Sequence, residues 1–305
     1  MCALLALAIL GAACRRATDE QATRTPPGDA LFRPTGWVTR NAGGVRVSDA
    51  SGAAFAPMPR ARLVSVAPST TEILFALGLG DRVVGVTTNC NYPPEARTKD
   101  KVGDYNLDYE RIVALRPDLA VGVQGFTDFA REPLSRAGIR YYATAGSSLA
   151  DVVESLAALG VLLGAQDAAD GLIAQFNAAA LRARERAGSS ARVSVFWAQW
   201  TQPLSTVGPG NFHHDLIELA GGTNIAADLG APYGPFSEEV LAVRAPQVVL
   251  ALGQEQADWI RTRFPTIPAV RTGRLHVFDS DAAARPGPRL TEALDALSHL
   301  LYPSP

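Results

Sequence analysis

The chain reads as an α/β protein of two Rossmann-like lobes, each with a central parallel sheet, joined by a single long linker helix. Three observations predict this. From Arg62 onward, short β-rich runs alternate with amphipathic helical stretches, and strands separated by helices need crossover connections, hence parallel pairing. The alternation stops between Ser148 and Ala187, where apolar residues keep a helical spacing without any strand signal. It then resumes with the same grammar and continues almost to the C-terminus.

Taken in order, residues 1–14 hold an apolar stretch, Ala3 to Leu10, ending in the small residues Gly11, Ala12 and Ala13 before Cys14. Small residues suit a signal-peptidase cleavage site, so this segment reads as a secretory leader, shorter than the roughly 20 residues that cross a bilayer. A cysteine directly after the small pair is similar to the bacterial lipobox, which makes Cys14 the expected lipidation site and lipoprotein signal peptide the reading of residues 1–14. A plain cleaved signal peptide with an incidental cysteine is the alternative. Residues 15–35, polar and broken by Pro26, Pro27, Gly28 and Pro34, read as a flexible tether.

Residues 36–147 form the first lobe. It opens with GWVTRNAGGVRVSDASG, two alternating segments around a turn and hence a β-hairpin. LVSVAP, STTEILFALGLG, VVGVT, LDYERIVALR, DLAVGV, TDFAREPLSRAG and YYATA then alternate strand and helix. Residues 148–188 are the linker helix and residues 189–305 the second lobe, from RVSVFWA to RLTEALDALSHLL.

An internal echo ties the lobes together. Glu110 precedes Pro117 by seven residues in ERIVALRPDLAVGV, and Glu239 precedes Pro246 by seven in EVLAVRAPQVVLAL. Acids at a helix start offset the macrodipole, with Asp108 and Ser237 as caps. Matched acids in two lobes also suit a pseudo-symmetric partner.

Composition excludes several classes. With 47% hydrophobic and 19% charged residues the chain is an ordinary globule, and 28 basic against 30 acidic side chains leave no field for nucleic acid. Cys2 and Cys14 lie in the leader, so Cys90 is the one cysteine of the body and no disulfide framework exists. No Walker motif, GxGxxG, GxSxG, HExxH or CxxC occurs. The histidines are His213, His214, His276 and His299. His213-His214 reads as a solvated helix-capping pair, a metal or haem role being the alternative. Nothing argues for an enzyme or a resident metal.

In open α/β sheets ligands bind beyond the carboxyl ends of the strands. The loops there carry Pro68-Ser69-Thr70, Asn89-Cys90-Asn91-Tyr92, Gly103-Asp104-Tyr105 and Gln124-Gly125-Phe126 in the first lobe. In the second they carry Trp197 to Trp200, Tyr233, and Asp281 with Arg285. An aromatic and mostly neutral set suits a large, flat, amide-bearing or conjugated ligand. Core packing is the competing role for Trp197.

The segments SVAPSTTEILFALGLGDRVVGVT, NYPPEA, ERIVALRPDL, LIELAGGTNI and RPGPRL resemble the cobalamin-binding proteins of bacterial ABC importers, in the helical-backbone class that also serves ferric siderophores and haem. The resemblance implies no catalysis and no catalytic cofactor. It implies capture of cobalamin or a related corrinoid and transfer to a permease dimer with its ATPase subunits, outside the cytoplasm. It assigns a corrin contact to Asn89 and Cys90, and ligand-flanking aromatics to Tyr105, Tyr233 and Trp197, or Trp200 across a small gap. An acid before the closing motif falls on Asp281. Glu110 and Glu239 fall on glutamates that dock into arginine pockets of the permease. Pro68, Gly125, Phe126 and Arg285 complete the expected ligand set, and Cys90 could ligate cobalt as a thiolate or simply line the cleft. A disulfide of some relatives is excluded here, since Ala220 occupies one of its positions. Haem or a ferric siderophore is the alternative ligand, with Tyr105, Tyr233 or His213 as axial candidates and Arg285 as the cleft cation.

Overall fold

A computed structural model describes residues 31–34, 36–278 and 281–303. The leader with Cys14 and the tether up to residue 30 lie outside the described residues.

In the first lobe five parallel strands lie in the order Asp100–Lys101, Val83–Val86, Leu63–Ser65, Leu119–Val123, Arg140–Thr144. Leu63–Ser65 is buried at every position, the pattern of a strand covered by helices on both faces. The strand order reverses beside Leu63–Ser65: Val83–Val86, the next strand in the chain, lies on one side of it and Leu119–Val123 on the other. That reversal opens a crevice at the carboxyl edge of the sheet.

The second lobe has four parallel strands, Gly222–Asn224, Val193–Ala198, Val248–Ala251 and Leu275–Val277. A smaller antiparallel sheet of Trp200–Thr201, Leu204–Val207 and Tyr233–Pro235 accompanies it. Before the first lobe, Val38–Asn41 and Gly44–Ser48 form the hairpin, with Ala54–Phe55 as a third strand.

The tether ends earlier than its composition implies. Phe32 packs edge-on against Phe176 of the linker at 6.4 Å. The Asn177 amide accepts from Phe32 N at 2.8 Å and donates to Phe32 O at 3.1 Å. One aromatic ring and one side-chain amide seat a segment that polarity alone leaves free.

The stretch 148–188 also needs correction: it contains two helices, Leu149–Leu163 and Gln166–Ala187. The break falls at Gly164, in the left-handed conformation at φ 74°, which ends the first helix as a glycine cap does. Continuous apolar spacing hid this glycine in the sequence. The first helix, started by a capping box between Ser148 and Asp151, packs on the first lobe. Gln166–Ala187 packs on it and on the closing helix Leu290–Leu301 of the second lobe, so a single helix still joins the lobes.

Around that helix one hydrophobic core runs through both lobes, from Leu63 and Leu74 through Leu159, Phe176 and Ala183 to Val195, Trp197 and Leu297. Arg82 fastens the break: its guanidinium donates to the carbonyls of Ala61 (2.9 Å), Leu163 (2.8 Å) and Met58 (3.1 Å). A shared core and a packed linker favour small relative motions of the lobes over wide hinge opening.

The internal echo is structural as well. Glu110 and Glu239 each take the second position of a short helix, Tyr109–Ala114 and Glu238–Arg244. The Asp108 carboxylate accepts from Arg111 N at 2.8 Å and the Ser237 hydroxyl from Val240 N at 3.2 Å. Both units end on a non-glycine residue at positive φ directly before proline, Arg116 at 48° and Ala245 at 43°. Such a residue costs about 1–2 kcal/mol; the following proline disfavours the right-handed helical region there and turns the chain into the next strand.

Candidate functional site

A cavity of about 320 Å³ opens at the carboxyl edge of the first-lobe sheet, where the strand order reverses. Val66, Ala67, Pro68 and Ser69 follow one strand into it, Thr87 and Asn89 a second, and Val123, Phe126, Thr127 and Phe129 a third. Asp104 and Tyr105 form another side, and Ala284, Arg285 and Pro286 of the second lobe close it.

Two aromatics dominate its rim. Tyr105 and Phe126 meet edge to face at 5.7 Å, with 64% and 51% of their surface exposed. Tyr105 is presented by a tight loop closed by a bridge between Gly103 and Leu107. A Cβ at Gly103 would fall 2.2 Å from Asn106 O, so this loop requires glycine. Asp104 supports it by accepting from Asn106 N at 2.8 Å. Phe126 follows Gly125, which supplies a turn at φ 76° rather than a wall of the cavity, and whose N–H donates to Asp128 at 2.7 Å. Behind it, Thr127 Oγ1 accepts from Val123 N at 2.8 Å and lies 2.8 Å from the Tyr141 hydroxyl.

The single arginine among the lining residues is not an isolated charge. Arg285 Nη1 donates to Glu72 Oε1 at 2.8 Å and to Asn91 Oδ1 at 2.7 Å, and Nη2 reaches Asp281 at 3.0 Å. Asn91 also donates to Asp281 at 3.0 Å, so Asp281 ties the two lobes together. Arg289 forks onto the same Glu72 and stacks over the Tyr92 ring at 3.9 Å. Glu72, missed in the sequence reading, is therefore the hub of the interlobe contact.

Two expected ligand residues are core instead. Trp197 is fully buried, with its ring 4.2 Å from that of His213. Its strand lies inside the parallel sheet between Gly222–Asn224 and Val248–Ala251, so alternation exposes neither face. Cys90 is buried too, 3.0 Å from both the Thr71 and Thr87 hydroxyls. Its sulfur points into the packing beneath the loop, while neighbouring Asn89 lines the cavity.

His213 is likewise no solvated cap. Nδ1 lies 2.8 Å from Asn211 Oδ1 and Nε2 lies 2.9 Å from Ala283 O. Burial pushes its pKa down to about 3. With both ring nitrogens occupied it is not available to a ligand. Among the described residues no group of three or more His, Cys, Asp or Glu could hold a metal ion.

Trp200 and Tyr233 stand exposed on the small antiparallel sheet, outside the lining of the cavity. Register pairs Trp200 with Ser205, Ser205 with Pro235, and Val207 with Tyr233, which puts both aromatics on one face. Glu110 and Glu239 are exposed. A hydrogen bond from Ser237 holds the Glu239 carboxyl below its usual pKa.

The periplasmic binding protein family profile matches residues 63–282. An uncharacterised ABC transporter substrate-binding lipoprotein of Bacillus subtilis is 29% identical over 313 aligned residues, covering 99% of this chain and 96% of its own. The vitamin B12-binding protein of Vibrio campbellii is 29% identical over 249 residues, covering 80% of this chain and 90% of its own. The solved periplasmic haem-binding protein of a Roseiflexus species superposes with a TM-score of 0.69 at 30% identity, over 79% of this chain and 97% of its own. No helix among the described residues is long and apolar enough to cross a membrane. The chain therefore belongs to the periplasmic binding protein family, as a substrate-binding protein of the ABC-transport kind and not an enzyme.

Proposed function

We propose that the protein captures a corrinoid, cobalamin or a close relative, in the cleft between its lobes and hands it to an ABC permease dimer with its ATPase subunits. The observation that carries this reading is the wall formed by Tyr105 and Phe126 beside Pro68 and Asn89, at the switch point of the first-lobe sheet. A corrin is broad, apolar on its faces and fringed with neutral amides, so it calls for aromatic area and uncharged hydrogen-bonding groups. The vitamin B12-binding relatives support the same ligand. Trp200 and Tyr233 of the second lobe are assigned to the ligand's far side, and Asp281 and Arg285 to the closing edge. Glu110 and Glu239 are assigned to permease docking. Their matched caps and matched helix ends suit a two-fold receptor. The protein acts outside the cytoplasm, held to a membrane through a lipidated Cys14.

Haem remains the second reading because of the Roseiflexus likeness and the exposed Tyr105 phenol. His213 no longer supports it. Arg285, already engaged by Glu72 and Asp281, is a poor counter-charge for an anionic ferric siderophore.

The test is to incubate purified protein with cyanocobalamin, haemin or ferrioxamine, remove free ligand by gel filtration and read the absorbance that co-elutes. One-to-one retention of cyanocobalamin is expected. Retention of an iron ligand instead would move the assignment to iron uptake.

A further inference from the structure

We propose that Glu72 is a specificity-determining residue, which neutralises the cavity's arginine and so disfavours ligands that carry carboxylates. This rests on the reading that the transported ligand occupies this cavity, but not on that ligand being a corrinoid. Glu72 lies behind Arg285, with its side chain only 2% exposed. It receives Arg285 Nη1 at 2.8 Å and both Nε and Nη2 of Arg289, at 2.9 and 2.7 Å. Asp281 takes the remaining side of Arg285 at 3.0 Å.

These two arginines and two acids cancel. Asp104, which also lines the cavity, then adds a negative charge. A carboxylate entering the cavity meets Asp104 and finds an arginine whose charge is already compensated. A neutral amide pays no such electrostatic cost. Two carboxylates held by two arginines at the lobe boundary also make the neutrality depend on Glu72, since among the described residues it is the one acid that touches both arginines.

Glu72→Gln keeps the shape and an oxygen acceptor but turns the neutral cluster into a cationic one. Asp281→Asn makes the same change in charge at a half-exposed position and keeps an oxygen acceptor for Arg285 and Asn91. The probes are haemin and haemin dimethyl ester, which share one ring and differ by two carboxylates. Affinities are read by tryptophan quenching in wild type and both variants. Wild type is expected to favour the ester, and each variant to shift the ratio toward haemin by about tenfold. Parallel loss of both ligands, the mark of a purely structural role, would overturn the proposal. So would an unchanged ratio, or failure of both variants to bind haemin. Cyanocobalamin titrated into the same wild-type sample reports separately on the corrinoid reading, which can fail while the ratio still shifts.

Discussion

Arg289 grips Glu72 with two parallel hydrogen bonds, at 2.7 and 2.9 Å, across the boundary between the lobes. Bidentate geometry of this kind fixes orientation as well as charge. Both partners are largely buried, and Arg285 shares the same carboxylate. Glu72→Ala takes the carboxylate from Arg289 and leaves Arg285 with Asp281 as its acidic partner in a low-dielectric contact, which is expected to destabilise the fold by about 3–5 kcal/mol. Urea unfolding checks this, and a change below about 1 kcal/mol would show that the cluster is solvated.

Trp197 and Trp200 make opposite predictions. Trp197→Ala empties a fully buried site and should cost about 3–5 kcal/mol. Trp200→Ala removes an exposed ring and should change stability by no more than about 0.5 kcal/mol. Thermal unfolding separates the two, and binding should weaken several-fold in the Trp200 variant.

The buried imidazole of His213 gives a pH dependence with a definite sign. Its folded pKa, about 3, lies below the ordinary 6.5, so between these values the unfolded chain binds the extra proton. The stability it contributes is complete above about pH 6.5 and is lost as pH falls toward 3. Relative to wild type, His213→Gln should flatten the unfolding free energy against pH by up to about 1.4 kcal/mol per unit in that window. Identical slopes would mean that the site is open to solvent.

Replacing Glu110 and Glu239 together by Ala should abolish ligand-dependent stimulation of the permease's ATPase in proteoliposomes while leaving ligand affinity within about twofold. Each side chain is exposed, so thermal stability should hardly move. An equal fall in ligand affinity would contradict the docking assignment.

Much of this was legible in the chain, for reasons that differ by residue. Strand–helix alternation and the matched Glu110 and Glu239 are local patterns, and local patterns survive in sequence. Tyr105 and Phe126 stood out because each neighbours a glycine-built turn. Trp197 did not reveal itself as core, because an aromatic late in a strand looks the same whether the strand is central or at an edge. The cap at Gly164 was lost inside an unbroken apolar rhythm. Glu72 was invisible for a different reason. A lone acid in STTEIL looks like the polar side of a helix, and its arginine partners lie 213 and 217 residues away.

The central claim is that the first-lobe aromatic wall binds a corrinoid, and calorimetry tests it most directly. Cyanocobalamin would be titrated into residues 31–305 of wild type and of Tyr105→Ala plus Phe126→Ala. Saturable one-to-one binding in wild type, weakened about 10- to 100-fold in the double variant with unchanged thermal stability, is the predicted result. No heat with cyanocobalamin, or equal affinity in both proteins, would contradict it.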